Sequence, residues 1–360
     1  MTRPGNGRGG VLITGGAGFI GANLADRLLG DGEHVVLLDD LSRAGVEQNL
    51  EWLRSRHGDA VQHVDADVRD AAAVDAAVSA STFVYHLAAQ VAVTNSLRQP
   101  LEDHAINLGG TLNVLEAMRR ASAPPALLFA STNKVYGTLP GIGVRKVGRR
   151  VVPDDDVLAE HGVGETRPLE FISPYGCSKG ASDQYVLDYA RSYGLKTVVF
   201  RMSCIYGPHQ QATSDQGWVA HFLRTALTGA PLTVYGDGHQ VRDVLYIDDF
   251  VQALLAARAR IDALAGQAFN MGGGVANTLS LLELIDIATH RLGHPPDVLY
   301  ADARPGDQPW FAADHRRFSA LTGWAPHTAP EEGIDRLWAW LSVTARKPPG
   351  AAARRLEGRP

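Results

Sequence analysis

Tyr175 and Lys179 stand four residues apart in the stretch SPYGCSKGASDQYVLDYAR. On a helix that spacing is about one turn, so both side chains point to one side. An ammonium beside a phenol favours the phenolate and draws the tyrosine below its ordinary pKa of about 10. Such a tyrosine can take a proton from a substrate hydroxyl and later return it. Ser173 and Pro174 suit the start of that helix, as a capping hydroxyl followed by a first-turn proline. A further hydroxyl is offered by STNKVYG, which follows the apolar run ALLFA. Ser131 and Thr132 there sit at a strand end and face the same crevice, which completes a Ser/Thr-Tyr-Lys set. A lone Tyr-x-x-x-Lys is common on exposed helices, so its weight comes from its surroundings.

The first surrounding motif is GVLITGGAGFIG at 10–21. A short apolar strand runs into Gly15, Gly18 and Gly21, and a helix with Leu24, Leu28 and Leu29 follows. Glycines at that spacing let the backbone turn and approach a pyrophosphate, whose charge the helix N-terminus favours. This predicts a dinucleotide site, with Phe19 and Ile20 in its wall. HVVLLDD then ends at Asp39, where a carboxylate accepts from ribose hydroxyls and repels a 2′-phosphate. NAD is therefore expected over NADP, although Arg43 nearby is a group that a 2′-phosphate would meet. Ser42, the Asp67-Val68 pair after a third strand at 60–68, and Leu87, Ala88, Ala89 and Gln90 after a fourth at 83–89 extend the predicted cofactor contacts. Asp67 alternatively caps the Ala-rich helix at 71–78. His86 reads as a satisfied strand histidine, and Asn107 as a polar group holding backbone near it.

Strands and helices alternate through this half, which predicts an α/β fold of Rossmann type, a doubly wound parallel sheet. Residues 10–204 are expected to form mainly this domain. A smaller C-terminal α/β substrate-binding region is expected over 205–342, with elements of the two interleaved and the strand at 268–274 on its side. Residues 138–172 read as a surface loop or lid, and RKVGRR within it as a solvated basic tract. Residues 1–9 and 346–360 read as flexible. The net charge of −5 argues against a nucleic-acid partner. Cys177 and Cys204 have no paired-ligand spacing, so no disulfide framework or metal site is expected. There is no apolar run of membrane-spanning length and no secretory pattern in MTRPGNGRGG, so a cytoplasmic location is expected.

In the second half, Arg242 and Arg304 are candidates for clamping a nucleotide diphosphate, because guanidinium matches phosphate geometry. Gln90, Asn133, Gln216 and Trp218 are the other candidate substrate contacts. TGGAGFIG, Asp39, HLAAQ, STNKVYG and SPYGCSK together resemble the extended short-chain dehydrogenases/reductases, over about residues 10–342. STNKVYG, SPYGCSKGASDQYVLDYAR, DQGWV, QVRDVLY and SLLELI are most similar to the CDP-sugar 2-epimerases of that superfamily. The resemblance implies Thr132 as the catalytic hydroxyl, Tyr175 as acid/base and Lys179 as its tuning lysine. It implies bound NAD, a nucleotide-sugar substrate of CDP-hexose type, and inversion at C2 through a transient keto sugar. Inversion at C4 of a UDP-hexose uses the same residues, and an NAD-binding regulator without turnover is a third reading. Dehydratases of the superfamily carry Asp-Glu after the threonine; Asn133-Lys134 here supplies no carboxylic acid for water elimination. A homodimer or higher oligomer is expected through the helices near 100–120 and 174–193.

Overall fold

The apolar runs of the first half become parallel strands buried on both faces, in a computed structural model that describes residues 9–304 and 306–344. The strands are β1 (Gly10–Thr14), β2 (Val35–Leu38), β3 (Gln62–Val64), β4 (Ser81–His86), β5 (Ala126–Thr132), β6 (Val144–Val147), β7 (Arg150–Pro153), β8 (Thr197–Met202), β9 (Cys204–Tyr206), β10 (Leu232–Tyr235), β11 (Val241–Tyr246), β12 (Gln267–Met271), β13 (Thr278–Ser280), β14 (Val298–Ala301) and β15 (Trp310–Phe311). Seven of them form one sheet in the order β12-β8-β5-β4-β1-β2-β3, all parallel. Alternate residues enter opposite layers: Val11 and Ile13 join one core, Leu12 the other. That is the doubly wound arrangement, and the strand order reverses between β1 and β4. Ligands in such sheets bind at the carboxyl ends beside that reversal.

Three expectations shift at the sheet's ends. The third strand stops at Val64, because Asp67 instead forms a turn, accepting from Arg69 N while its carbonyl accepts from Asp70 N. The next helix, Ala71–Ser79, is capped by Asp70 and not by Asp67. The fourth strand stops at His86, since Ala88 N turns to the Thr14 hydroxyl instead of the ladder. The strand at 268–274, expected in the C-terminal region, is β12 and pairs with β8 at the edge of the main sheet.

The helix Pro100–Arg120 contains a π-type turn at Ala105–Gly109. At that turn the Asn107 carbonyl accepts from the Thr111 hydroxyl and, from the helix packed against it, from the Ser182 hydroxyl. The 138–172 segment is not an open loop. It holds the β6–β7 hairpin and the helix Asp156–His161. Its basic tract is spent on ion pairs: Arg145 with Asp154, Lys146 with Asp237, Arg149 with Asp286 and Arg150 with Glu283. Three of those four tie the hairpin to the C-terminal elements. No helix of the described residues is long and apolar enough to cross a membrane. The terminal segments read as flexible lie, apart from Gly9, outside the described residues.

Beneath β8, Arg201 forks both oxygens of Asp183 at 2.9 Å, and both side chains are almost fully buried. This pair joins the sheet to the helix Ser173–Tyr193, which carries Tyr175 and Lys179. Removing one partner leaves a buried, unmatched charge. Arg201→Met is therefore expected to lower the unfolding free energy in urea by about 3–5 kcal/mol. A loss below about 1 kcal/mol would show that the pair does not hold the helix.

Candidate active site and cofactor cleft

The glycine loop is shaped by contacts that exclude a side chain. Gly15 has φ +67°, and a Cβ there would lie 2.8 Å from the Ala88 backbone nitrogen. A Cβ on Gly21 would meet the Gly15 carbonyl oxygen at 2.4 Å. The loop therefore packs closely on the start of the helix Phe19–Gly30 and on the backbone after β4. Asp39, at the end of β2, accepts from Ala17 N at 2.9 Å and from Leu41 N at 3.0 Å. It thus braces the glycine loop as well as facing the cleft. Burial pushes its carboxyl up, and these two backbone donors pull against that.

A cavity of about 740 Å³ runs along the carboxyl ends of the strands. Every predicted cofactor residue lines it: Gly15, Gly18, Phe19, Ile20, Gly21, Asp39, Ser42, Asp67, Val68, Leu87, Ala88, Ala89 and Gln90. Thr132, Tyr175 and Lys179 line it too, as do Asn133, Gln216 and Trp218. Ser42 is held by Asp40, and Asp67 is paired with Arg69 at 2.5 Å. His86 is enclosed by the Thr14 and Thr111 hydroxyls, and burial takes its imidazole down to about 3. It is a neutral structural group. Asn107 accepts from Gln90 N and donates to Gln90 O, so it holds the backbone just past β4.

At one end of the cavity the two adjacent hydroxyls of β5 separate. Ser131 donates to Asp183 at 2.9 Å. Thr132 instead lines the cavity beside the Tyr175 phenol, its hydroxyl donating to Asn133 Oδ1 at 3.4 Å and accepting from Lys134 N at 3.2 Å. The hydroxyl beside the tyrosine is therefore that of Thr132. At the head of the catalytic helix, Ser173 accepts from Gly176 N at 3.2 Å, and Ser96 accepts from Tyr175 N at 3.1 Å. Lys179 is buried, with its Nζ donating 2.6 Å to the Ala130 carbonyl and lying 4.1 Å over the Phe129 ring.

The electrostatics depart from the simple pairing argument. Burial pushes the Tyr175 phenol up to about 12, and the neighbouring Thr132 hydroxyl only partly offsets it. Burial takes Lys179 down to about 7, against the pull of Asp183 and Asp103. Both side chains line the cavity from one turn of the same helix, but burial, not the neighbouring charge, dominates the ionisation of each. A phenolate here needs further positive charge.

The two arginines expected at a diphosphate do not line the cavity. Arg242 is bonded to Asp307 at 2.7 Å. Arg304 lies 3.2 Å from Asp215 and 4.0 Å over the Tyr235 ring. Each guanidinium is already matched within the chain. Besides Lys179 and Arg43, the cation that reaches the wall is Lys134, partly buried near Arg242 and 3.5 Å from the same Asp307. Its place two residues past Thr132 is the sequence signal for it. Arg201 points under the sheet to Asp183, whereas Met202, Ser203 and Cys204 line the cavity. Arg43, whose sequence reading concerned only a 2′-phosphate, reaches across the cleft to Gln216 Oε1 and the Gln211 carbonyl.

The residues present fit a dinucleotide: a glycine turn that no side chain can enter, a helix N-terminus behind it and a carboxylate at the end of β2. Gly21→Ala tests the fit. The added methyl must displace the loop, at a cost of about 1–3 kcal/mol. The variant is expected to bind NAD roughly 5- to 150-fold more weakly by calorimetry, and affinity equal to the parent's would contradict the placement.

Comparison with known proteins agrees with this geometry. Residues 11–272 match the NAD dependent epimerase/dehydratase family. CDP-paratose 2-epimerase of Salmonella typhi is 40% identical over 339 residues, covering 92% of this chain and 99% of that protein. A putative UDP-glucose 4-epimerase of Methanocaldococcus jannaschii is 31% identical over 338 residues, covering 93% and 99%. The crystal structure of Thermus thermophilus UDP-glucose 4-epimerase in complex with NAD superposes with a TM-score of 0.76 at 33% identity, covering 92% and 98%. The chain belongs to the NAD dependent epimerase/dehydratase family, and NAD is its cofactor.

Proposed function

We propose that this protein epimerises a nucleotide-activated hexose, inverting C2 of a CDP-sugar through a transient keto sugar. The observation that carries the reading is that Thr132, Tyr175 and a buried Lys179 meet in the wall of the dinucleotide cleft. The similarity to a CDP-paratose 2-epimerase supports the choice of sugar and carbon. Asn133 and Lys134 support epimerisation over dehydration, since neither can protonate a leaving hydroxyl as a carboxylic acid would.

Bound NAD supplies the hydride acceptor and donor, and its positive ring favours the phenolate that burial alone disfavours. Tyr175 then removes the proton from the sugar hydroxyl while Thr132 orients the same oxygen. Lys179 holds positive charge under the phenolate. The chain keeps the reactants in contact, which removes much of the entropic barrier. The nucleotide end anchors the substrate while the planar keto sugar turns over, and Tyr175 reprotonates the oxygen on the new face. The cycle has no net redox change, so the chain must retain its cofactor throughout. Arg43 and Gln216 close over the outer part of the cleft and serve that need.

The UDP-glucose 4-epimerase relatives favour a second reading, inversion at C4 of a UDP-hexose by the same residues. We place the protein in the cytoplasm, in keeping with its free Cys177 and Cys204. We read it as a homodimer through the helices near 100–120 and 174–193, where Leu101, Tyr185 and Tyr193 lie exposed.

A panel of CDP- and UDP-hexoses, with products resolved by anion-exchange chromatography, tests the substrate. Inversion of a CDP-sugar at C2 is expected. Turnover confined to UDP-hexoses at C4 would overturn the substrate assignment, and steady release of NADH would overturn epimerisation. In the same assay Tyr175→Phe is expected to lower kcat by roughly 10²- to 10⁴-fold while NAD stays bound. A Tyr175→Phe enzyme with near-parent kcat would remove Tyr175 from the chemistry.

A further inference from the structure

Asp103 is buried to 1% exposure, on the short helical stretch Pro100–His104 that leads into the π-type turn. Its Oδ2 accepts from the Ser178 hydroxyl at 2.5 Å. Its Oδ1 accepts from Gln90 Nε2 at 2.8 Å and from Asn107 Nδ2 at 3.1 Å. All three donors are neutral, and among the described residues no cation lies within ion-pair distance of it. A buried carboxylate held only by neutral donors keeps an unmatched negative charge. Ser178 lies between Tyr175 and Lys179 on the catalytic helix, and its hydroxyl also contacts the Tyr175 carbonyl at 3.2 Å. Gln90 is in the wall of the cleft.

We propose that Asp103 is a positioning residue of this site: it fixes the Tyr175–Lys179 turn through Ser178, and its carboxylate adds to that of Asp183 in the field at Lys179. Asp183, on the same helix, makes the larger negative contribution at Lys179, and it is also forked by Arg201 from β8. His86 from β4 is kept neutral by burial. β5 presents only the Ala130 carbonyl and the Phe129 ring, and Tyr175 is a neutral phenol. Asp103 acts on both members of the pair in one direction, raising Lys179 and raising Tyr175. Its negative charge thus keeps the lysine protonated to higher pH and makes the phenol harder to ionise.

The sign of the test follows, and it rests on the acid/base roles given above to Tyr175 and Lys179. Removing the charge in Asp103→Asn lowers both pKa values. The pH–rate profile of the NAD-bound enzyme is expected to move to lower pH on both limbs, by roughly half a unit or more. Ser178→Ala removes the grip and keeps the charge. It is expected to reduce kcat several-fold with both limbs in place. Asp103→Ser is a second neutral replacement of different shape, read in the same way if Asp103→Asn does not accumulate as folded protein. Neutral variants that lose rate with unmoved limbs, or a Ser178→Ala profile displaced as far as theirs, would overturn the proposal. A readout without substrate separates it from the epimerase reading. The tyrosinate ultraviolet titration of Tyr175, taken as the difference between each protein and its Tyr175→Phe form, is expected at lower pH in the neutral variants. If no sugar turns over, the epimerase reading fails, and this titration still decides the role of Asp103.

Discussion

The burial of Lys179 under the carboxyl end of β5 is the constraint on which the rest of the site depends. An ammonium taken out of water is costly unless negative groups face it. The chain supplies the Ala130 carbonyl, the Phe129 ring, Asp183 and Asp103. Asp183 must then be matched by Arg201, and Asp103 must be held by Ser178, Gln90 and Asn107. These obligations tie β5, β8, the catalytic helix and the helix Pro100–Arg120 into one polar layer. The layer explains why so many buried hydroxyls and amides surround a single tyrosine-lysine turn. It also contains the π-type turn, which sets Asn107 where both Gln90 and Asp103 can use it.

The same layer forms one end of a cleft whose other end is set by the glycine loop. Parallel strands that reverse direction of progression at β1 and β4 leave a crevice there, and the loop's close backbone contacts keep it free of side chains. Asp39 contributes at both scales: it braces the loop through Ala17 and faces the cleft. A reaction that oxidises and then reduces one carbon needs a cofactor retained for the whole cycle. A long cleft with Arg43 and Gln216 meeting across it suits that demand better than an open groove would.

Features governed by short spacing were legible in the amino-acid sequence. Gly15, Gly18 and Gly21 sit between a strand and a helix, and Tyr175 and Lys179 share a helical turn; both are local geometry. The alternation that predicts the doubly wound sheet is also local. Long-range matching was not legible. Arg242 finds Asp307, and Arg304 finds Asp215, across chain distances that no motif encodes. The basic tract at 145–150 is solvated as read, but its pairing with Asp154, Asp237, Glu283 and Asp286 is a long-range match that the motif does not encode. The tyrosine's ionisation was misjudged for a related reason. Spacing reports the neighbour, while burial, which the fold decides, sets the larger contribution. The motif resemblance points to Thr132 over Ser131, and the bond from Ser131 to Asp183 gives that choice a physical reason.

The central claim is that hydride leaves and returns to the same sugar carbon inside one closed cleft. Proton NMR of a CDP-sugar turning over in deuterated water tests it most directly. The account predicts a C2-inverted product that keeps its C2 hydrogen. Solvent deuterium at C2 would mean that the carbon loses a proton to a base, and the hydride mechanism would be wrong.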